Sequence, residues 1–158
     1  MISITILQDK IIEGVSKKTY YIGEKNKRKD IDYSVIQTSS DTKDELSVYA
    51  ETGVNNIVGS LVKRVNDIGY TNEQGNIVIT FTPFDRIPDN VEVVAKLLAK
   101  AIEDYLVNFT TAQWLNTIAP ELAGPIFNQL DYYMAQVYKY IGMFSGMVVR
   151  RATDLAGI

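Results

Sequence analysis

The chain has 158 residues, 46% of them hydrophobic and 22% charged, with a formal net charge of −3. A chain of this length buries roughly 70% of the surface it exposes when unfolded, so one domain with a real core is expected. It contains no Cys and no His, which excludes the usual zinc sites, disulfide scaffolding, thiol catalysis and every imidazole mechanism.

The first expected element is a helix within residues 1–18, running from Thr5 to Lys18. Ile4, Leu7, Ile11, Ile12 and Val15 recur at three- and four-residue spacing, with Gln8, Asp9, Glu13 and Lys17 between them. Ile2, Ile4 and Ile6 also alternate as in a strand, but the helical spacing continues past Ile11 and takes precedence. Gly14 weakens this helix by up to ~1 kcal/mol relative to alanine. Residues 19–40 read as a long polar connector arm, because no period persists and Gly23, Asn26, Asp30, Asp32 and Ser34 favour irregular backbone.

"SSDTKDE" is a helix start: Ser40 or Asp41 can cap, and Thr42-x-x-Glu45 has capping-box spacing. A helix over 41–68 follows, with Leu46, Ala50, Val54, Ile57, Leu61 and Val65 on its apolar stripe. The period then changes from 3.6 to 2. Ile77, Ile79 and Phe81 share one face of a strand, and a turn over Asn72–Gly75 makes 69–83 a β-hairpin. A lone hairpin is marginal in water, so it must pack on the helices or pair with a neighbouring subunit. Asp89 caps a long helix over 89–119, which Pro120 stops. A last helix spans 121–149, and 150–158 form a short tail. The expected fold is mainly α: a four-helix-bundle-like single domain, 1–158, with an inserted β-hairpin and a long N-terminal connector.

The chemistry is sparse. The carboxylate clusters Asp44/Glu45, Glu103/Asp104 and Asp85/Asp89 contain neighbours that do not face each other on a helix, so they read as solvated faces rather than acid–base pairs. No P-loop, GxGxxG, GxSxG or EF-hand pattern occurs. No apolar run approaches the ~20 residues that span a bilayer, and "MISITILQDK" lacks the basic start and cleavage site of a signal peptide. No enzyme activity, cofactor, metal or membrane contact is expected.

Partner contacts are the remaining signal. Tyr20 and Tyr21 precede the cations Lys25, Lys27, Arg28 and Lys29, and Arg150 and Arg151 form a second basic pair. These are the candidate partner-binding residues, with at least one of the two rings expected to pack on the helices. They fit an acidic neighbouring protein surface or a nucleic acid, although a pI near 5.0 argues against coating nucleic acid through overall charge. Tyr132/Tyr133 and Tyr138/Tyr140 cannot all point inward from one helix, and large amphipathic rings are enriched at interfaces. Ile77, Ile79, Phe81, Tyr132 and Tyr140 are therefore the candidate inter-subunit residues.

The order of "KKTYYIGEKN", "TSSDTKDE", "NIVITFTPFD", "AQWL" and "DYYMAQVYKYI" resembles head–tail connector (adaptor, neck-ring) proteins of tailed bacteriophages. It is closest to virion structural proteins of crAss-like phages that infect Bacteroidetes. The resemblance spans most of the chain and leans on Tyr20, Gly23, Thr38, Asp41 and Trp114. It implies a homo-oligomeric, twelve-fold ring at the head–tail interface of the virion, assembled in the host cytoplasm. Such a ring contacts the portal protein and the adjacent neck or tail rings, with DNA only as passing cargo in its lumen. A tail-completion or stopper protein of the same structural module is an alternative. A nucleic-acid-binding accessory protein using the basic loop 25–29 is another.

Overall fold

The computed structural model describes residues 1–26, 38–84 and 87–145. In chain order the elements are β1 (Ile2–Leu7), α1 (Gln8–Lys25), a 3-10 turn (Ser40–Thr42), α2 (Lys43–Leu61), β2 (Asn66–Glu73), β3 (Asn76–Thr82), α3 (Val91–Ile118), α4 (Pro120–Phe127) and α5 (Leu130–Ser145). The fold is mainly helical, with a small antiparallel sheet in the order β1-β3-β2.

β1 corrects the expected N-terminal helix. The backbone stays extended to Leu7, with Ile4 and Ile6 buried and Ser3, Thr5 and Leu7 exposed. Ile and Thr are stiff at χ1 and suit a pleated surface, and β3 lies ready to pair: Ile4 opposes Ile79 and Ile6 opposes Ile77. The hairpin therefore gains its third strand from its own chain, from a segment far earlier in sequence.

α1 then runs on to Lys25, so Thr19–Lys25 are helical rather than part of the connector. Its buried stripe, Ile11, Val15, Thr19 and Gly23, keeps a four-residue step although its last two members are not large apolar residues. Thr19 is tolerated because its hydroxyl donates to the Val15 carbonyl at 2.9 Å. The rest of the connector, 27–37, lies outside the described residues.

α2 begins at Lys43, and no side chain caps it. The Thr42 hydroxyl instead accepts from the Ser39 N–H at 3.1 Å and donates to the Ser39 carbonyl at 2.8 Å, so the expected capping box does not form. The helix ends at Leu61, earlier than the expected 68, and β2 begins at Asn66. Gln74 and Gly75 close the hairpin with φ of 52° and 82°. Positive φ at both positions gives a primed turn whose twist matches that of the strands.

α3 is the hub, touching α1, α2, α4, α5 and β1. It starts after Asn90 rather than at an Asp89 cap, and no side chain caps it. Close approach to α3 explains two glycines. A Cβ on Gly14 would lie 2.8 Å from Val107 Cγ2, and one on Gly53 would lie 2.9 Å from both Leu106 Cδ2 and Phe109 Cδ1. Gly14 thus weakens α1 locally but lets it sit against α3. The expected single helix over 121–149 is two as far as it is described, α4 and α5, broken at Asn128 and Gln129; 146–149 lie outside the described residues. Phe81 of β3 meets Phe144 of α5 edge to face at 5.4 Å, joining sheet to helices in one core.

Candidate interaction surface

The inward face of β3 belongs to this core. Ile77, Ile79 and Phe81 are each almost wholly buried within the chain. Their placement as inter-subunit side chains is corrected: β1 and the helices already cover them.

The tyrosines divide differently. Tyr20 and Tyr21 lie on the later turns of α1 and are 56% and 68% exposed, so neither ring packs into the helices as expected. Lys25 is exposed in the same helix's last turn. Lys27, Arg28, Lys29, Arg150 and Arg151 lie outside the described residues, as does the tail 150–158.

Tyr132 is 64% exposed, while Tyr133, Tyr138 and Tyr140 are half-buried. Val137, Ile141 and Phe144 take the inward positions of α5. Tyr132, Tyr133 and Tyr140 line an open groove of about 370 Å³ together with Gln136 of α5 and Leu97, Lys100, Ala101 and Asp104 of α3. Tyr132 and Tyr133 stand edge to face, 5.4 Å between centroids.

Charge in this groove is internally balanced. Lys100 Nζ is 2.8 Å from Asp104 and 3.3 Å from Glu103, one helical turn on. The hydrogen bond to Asp104 is the main cause that raises the Lys100 pKa. At its edge, Lys18 of α1 donates to Asn108 Oδ1 and lies 5.8 Å from the Tyr133 ring centroid. Burial lowers the Lys18 pKa, and the charge of Asp104 opposes that shift. Asn108 is held in turn by its Nδ2, which donates to the Asp104 carbonyl at 2.7 Å. The arrangement orders side chains and seats α1 on α3. It assembles no group of three or more possible metal ligands, nor does any other place among the described residues.

Of the residues at this groove, the sequence pointed to Tyr132 and Tyr140 as interface candidates and to Asp104 only as part of a solvated face; Lys18, Lys100 and Gln136 were not singled out. The Lys100–Glu103–Asp104 spacing was legible as i, i+3 and i, i+4 pairs. The Lys18–Asn108 bond crosses 90 residues and leaves no local signal.

No protein-family model, no curated protein and no solved structure matches this chain. No helix among the described residues is long and apolar enough to cross a membrane.

Proposed function

We propose that the chain is a structural, non-catalytic subunit of a tailed-phage neck, forming a ring that joins the portal to downstream tail components and lets DNA pass. The motif order along most of the chain supports the phage assignment. The observation that carries the assembly reading is the outward placement of Tyr20, Tyr21 and Tyr132, large rings left on the surface while the inward aromatics are used by the core. Exposed tyrosines are well suited to interfaces, since each offers wide contact area and a polar tip. In this reading the helices around α3 form a bundle-like ring wall, and α5 with its groove meets the neighbouring subunit. The basic residues of 25–29, with Arg150 and Arg151, meet an acidic adjoining ring. The absence of Cys and His from the sequence fits a protein whose work is contact rather than catalysis.

Electron microscopy of the purified chain, alone and with the portal protein of the same phage, tests this reading. Ring-shaped density, free or seated on the portal, is the expected outcome. A protein that forms no ring and never joins the portal would overturn it.

A further inference from the structure

The two outer edges of the sheet are unequal. β2 is bulged between Asn66 and Gly69, has Asp67 at φ 48°, and carries the charges of Asp67 and Glu73. Bulges and charges are the usual protection of an edge strand. β1, reading Ile-Ser-Ile-Thr-Ile-Leu, has no charge, no proline and an unbroken register with β3.

Its hydrogen-bonding phase is set by one bond. The Gln8 N–H donates to the Gly75 carbonyl at 3.0 Å, directly across the β1–β3 ladder. Opposed residues in an antiparallel ladder alternate between bonded and non-bonded pairs. Ile2, Ile4 and Ile6 therefore turn their main-chain groups to β3, and Ser3, Thr5 and Leu7 turn theirs outward. The Leu7 carbonyl, at the N-cap of α1, serves the first turn of that helix; among the described residues nothing bonds the outward groups of Ser3 and Thr5 or the Leu7 N–H.

We infer that this edge pairs with β1 of a second copy of the chain, antiparallel, about a two-fold axis between Ile4 and its counterpart. In that register Ile2 opposes Ile6, Ser3 opposes Thr5 and Met1 opposes Leu7. All three isoleucines stay on the core side, and Ser and Thr face each other on the solvent side, a favourable cross-strand pair. The exposed Met1 and Leu7, 86% and 44% accessible, cover one another. A slip of one residue would oppose core-facing to solvent-facing positions. A slip of two would leave at least one isoleucine without an isoleucine opposite. With no charge between Ile2 and Leu7, self-pairing meets no side-chain repulsion. The result is one continuous sheet with β1 at its centre and both protected β2 edges outside.

A strand pair of this length covers less than the about 1,200–2,000 Å² of a stable specific interface, so the dimer is weak and concentration-dependent. A two-fold contact also closes at two copies and cannot by itself propagate round a ring. The inference thus goes beyond the neck reading: it describes the free chain, and it leaves ring contacts to the exposed tyrosines.

Light scattering and sedimentation of the full chain over a concentration series test it, with Thr5→Pro as the key variant. The Thr5 N–H points outward, so proline there removes an intermolecular donor and no intrachain ladder bond. The chain has no native cysteine, so mixing Ser3→Cys with Thr5→Cys chains under oxidation reads the register independently of Thr5→Pro folding. Expected are a monomer–dimer equilibrium, about tenfold weaker in Thr5→Pro, which loses the Thr5 donor in both copies, and a mixed disulfide that outpaces either variant alone. A monomer at every concentration would overturn the proposal and leave the edge to a strand of another protein. A dimer without the Ser3–Thr5 cross-link would overturn it too, placing the contact elsewhere. Ring and portal density are scored separately by microscopy, so each idea can fail without the other.

Discussion

β1 and β2 flank the same central strand, yet one edge is left open and the other is closed. β2 spends residues on a bulge, a positive-φ aspartate and charge. β1 keeps a regular, neutral, β-branched strand with the outward groups of Ser3 and Thr5 unmet. Open edges invite pairing and proteins tend to disguise them, so the contrast within one small sheet locates the surface where another strand can add. It also separates two meanings of an apolar strand: β3 is apolar because it is the core, whereas β1 is apolar on its inner face and available along its rim.

The largest effect should come from the strand that both edges share. Phe81→Ala removes a buried ring packed on Phe144 and should lower unfolding free energy by about 3–5 kcal/mol, measured by denaturant titration. A loss near zero would mean that β3 is not core and that the contrast between edge and centre fails.

Packing behind the sheet comes next. Gly53→Ala would drive a methyl into Leu106 and Phe109 and should destabilise by about 1–3 kcal/mol. Gly59, on the same helix with nothing near its missing Cβ, should gain up to ~1 kcal/mol on change to alanine. Thermal melts of the two variants should therefore move in opposite directions.

Lys18 gives a pH test of how α1, the continuation of β1, sits on α3. Its folded pKa is lowered, by burial first, so between the folded and unfolded values the unfolded chain holds more protons. The stabilisation associated with this group is lost as pH falls through the folded pKa and is fully present above the ordinary lysine range. The stability difference between the native chain and Lys18→Met should therefore grow in the native chain's favour as pH rises through that window. Parallel urea titrations across alkaline pH would read it, and a flat difference would remove the burial argument. The smallest effect is at the closed edge: Gln74→Asn, at the first position of the primed turn, should stabilise by a few tenths of a kcal/mol, roughly, because Asn tolerates positive φ better.

Legibility in the sequence followed the length of each pattern. α3 was readable because its apolar spacing persists over many turns, and β3 because its alternation is uninterrupted between Gly75 and Pro83. Residues 2–7 satisfied both periods, and only pairing with β3 decided between them. α1 was cut short because Thr19 and Gly23 are buried without being large and apolar. The break between α4 and α5 was hidden because apolar spacing continues across Asn128 and Gln129. At the candidate surface, the surplus of tyrosines on α5 was visible and its exposed member, Tyr132, was anticipated. Tyr20 and Tyr21 were misplaced, since they ride exposed on a helix and not on a connector.

Residue-resolved amide hydrogen exchange in β1, followed as a function of protein concentration, tests the open edge most directly. In dilute solution the amides of Ile4 and Ile6 should be protected and those of Ser3, Thr5 and Leu7 should exchange freely. On concentration, protection should appear at Ser3, Thr5 and Leu7 and nowhere else in the sheet. Protection of all β1 amides at every dilution, or none gained on concentration, would contradict the account.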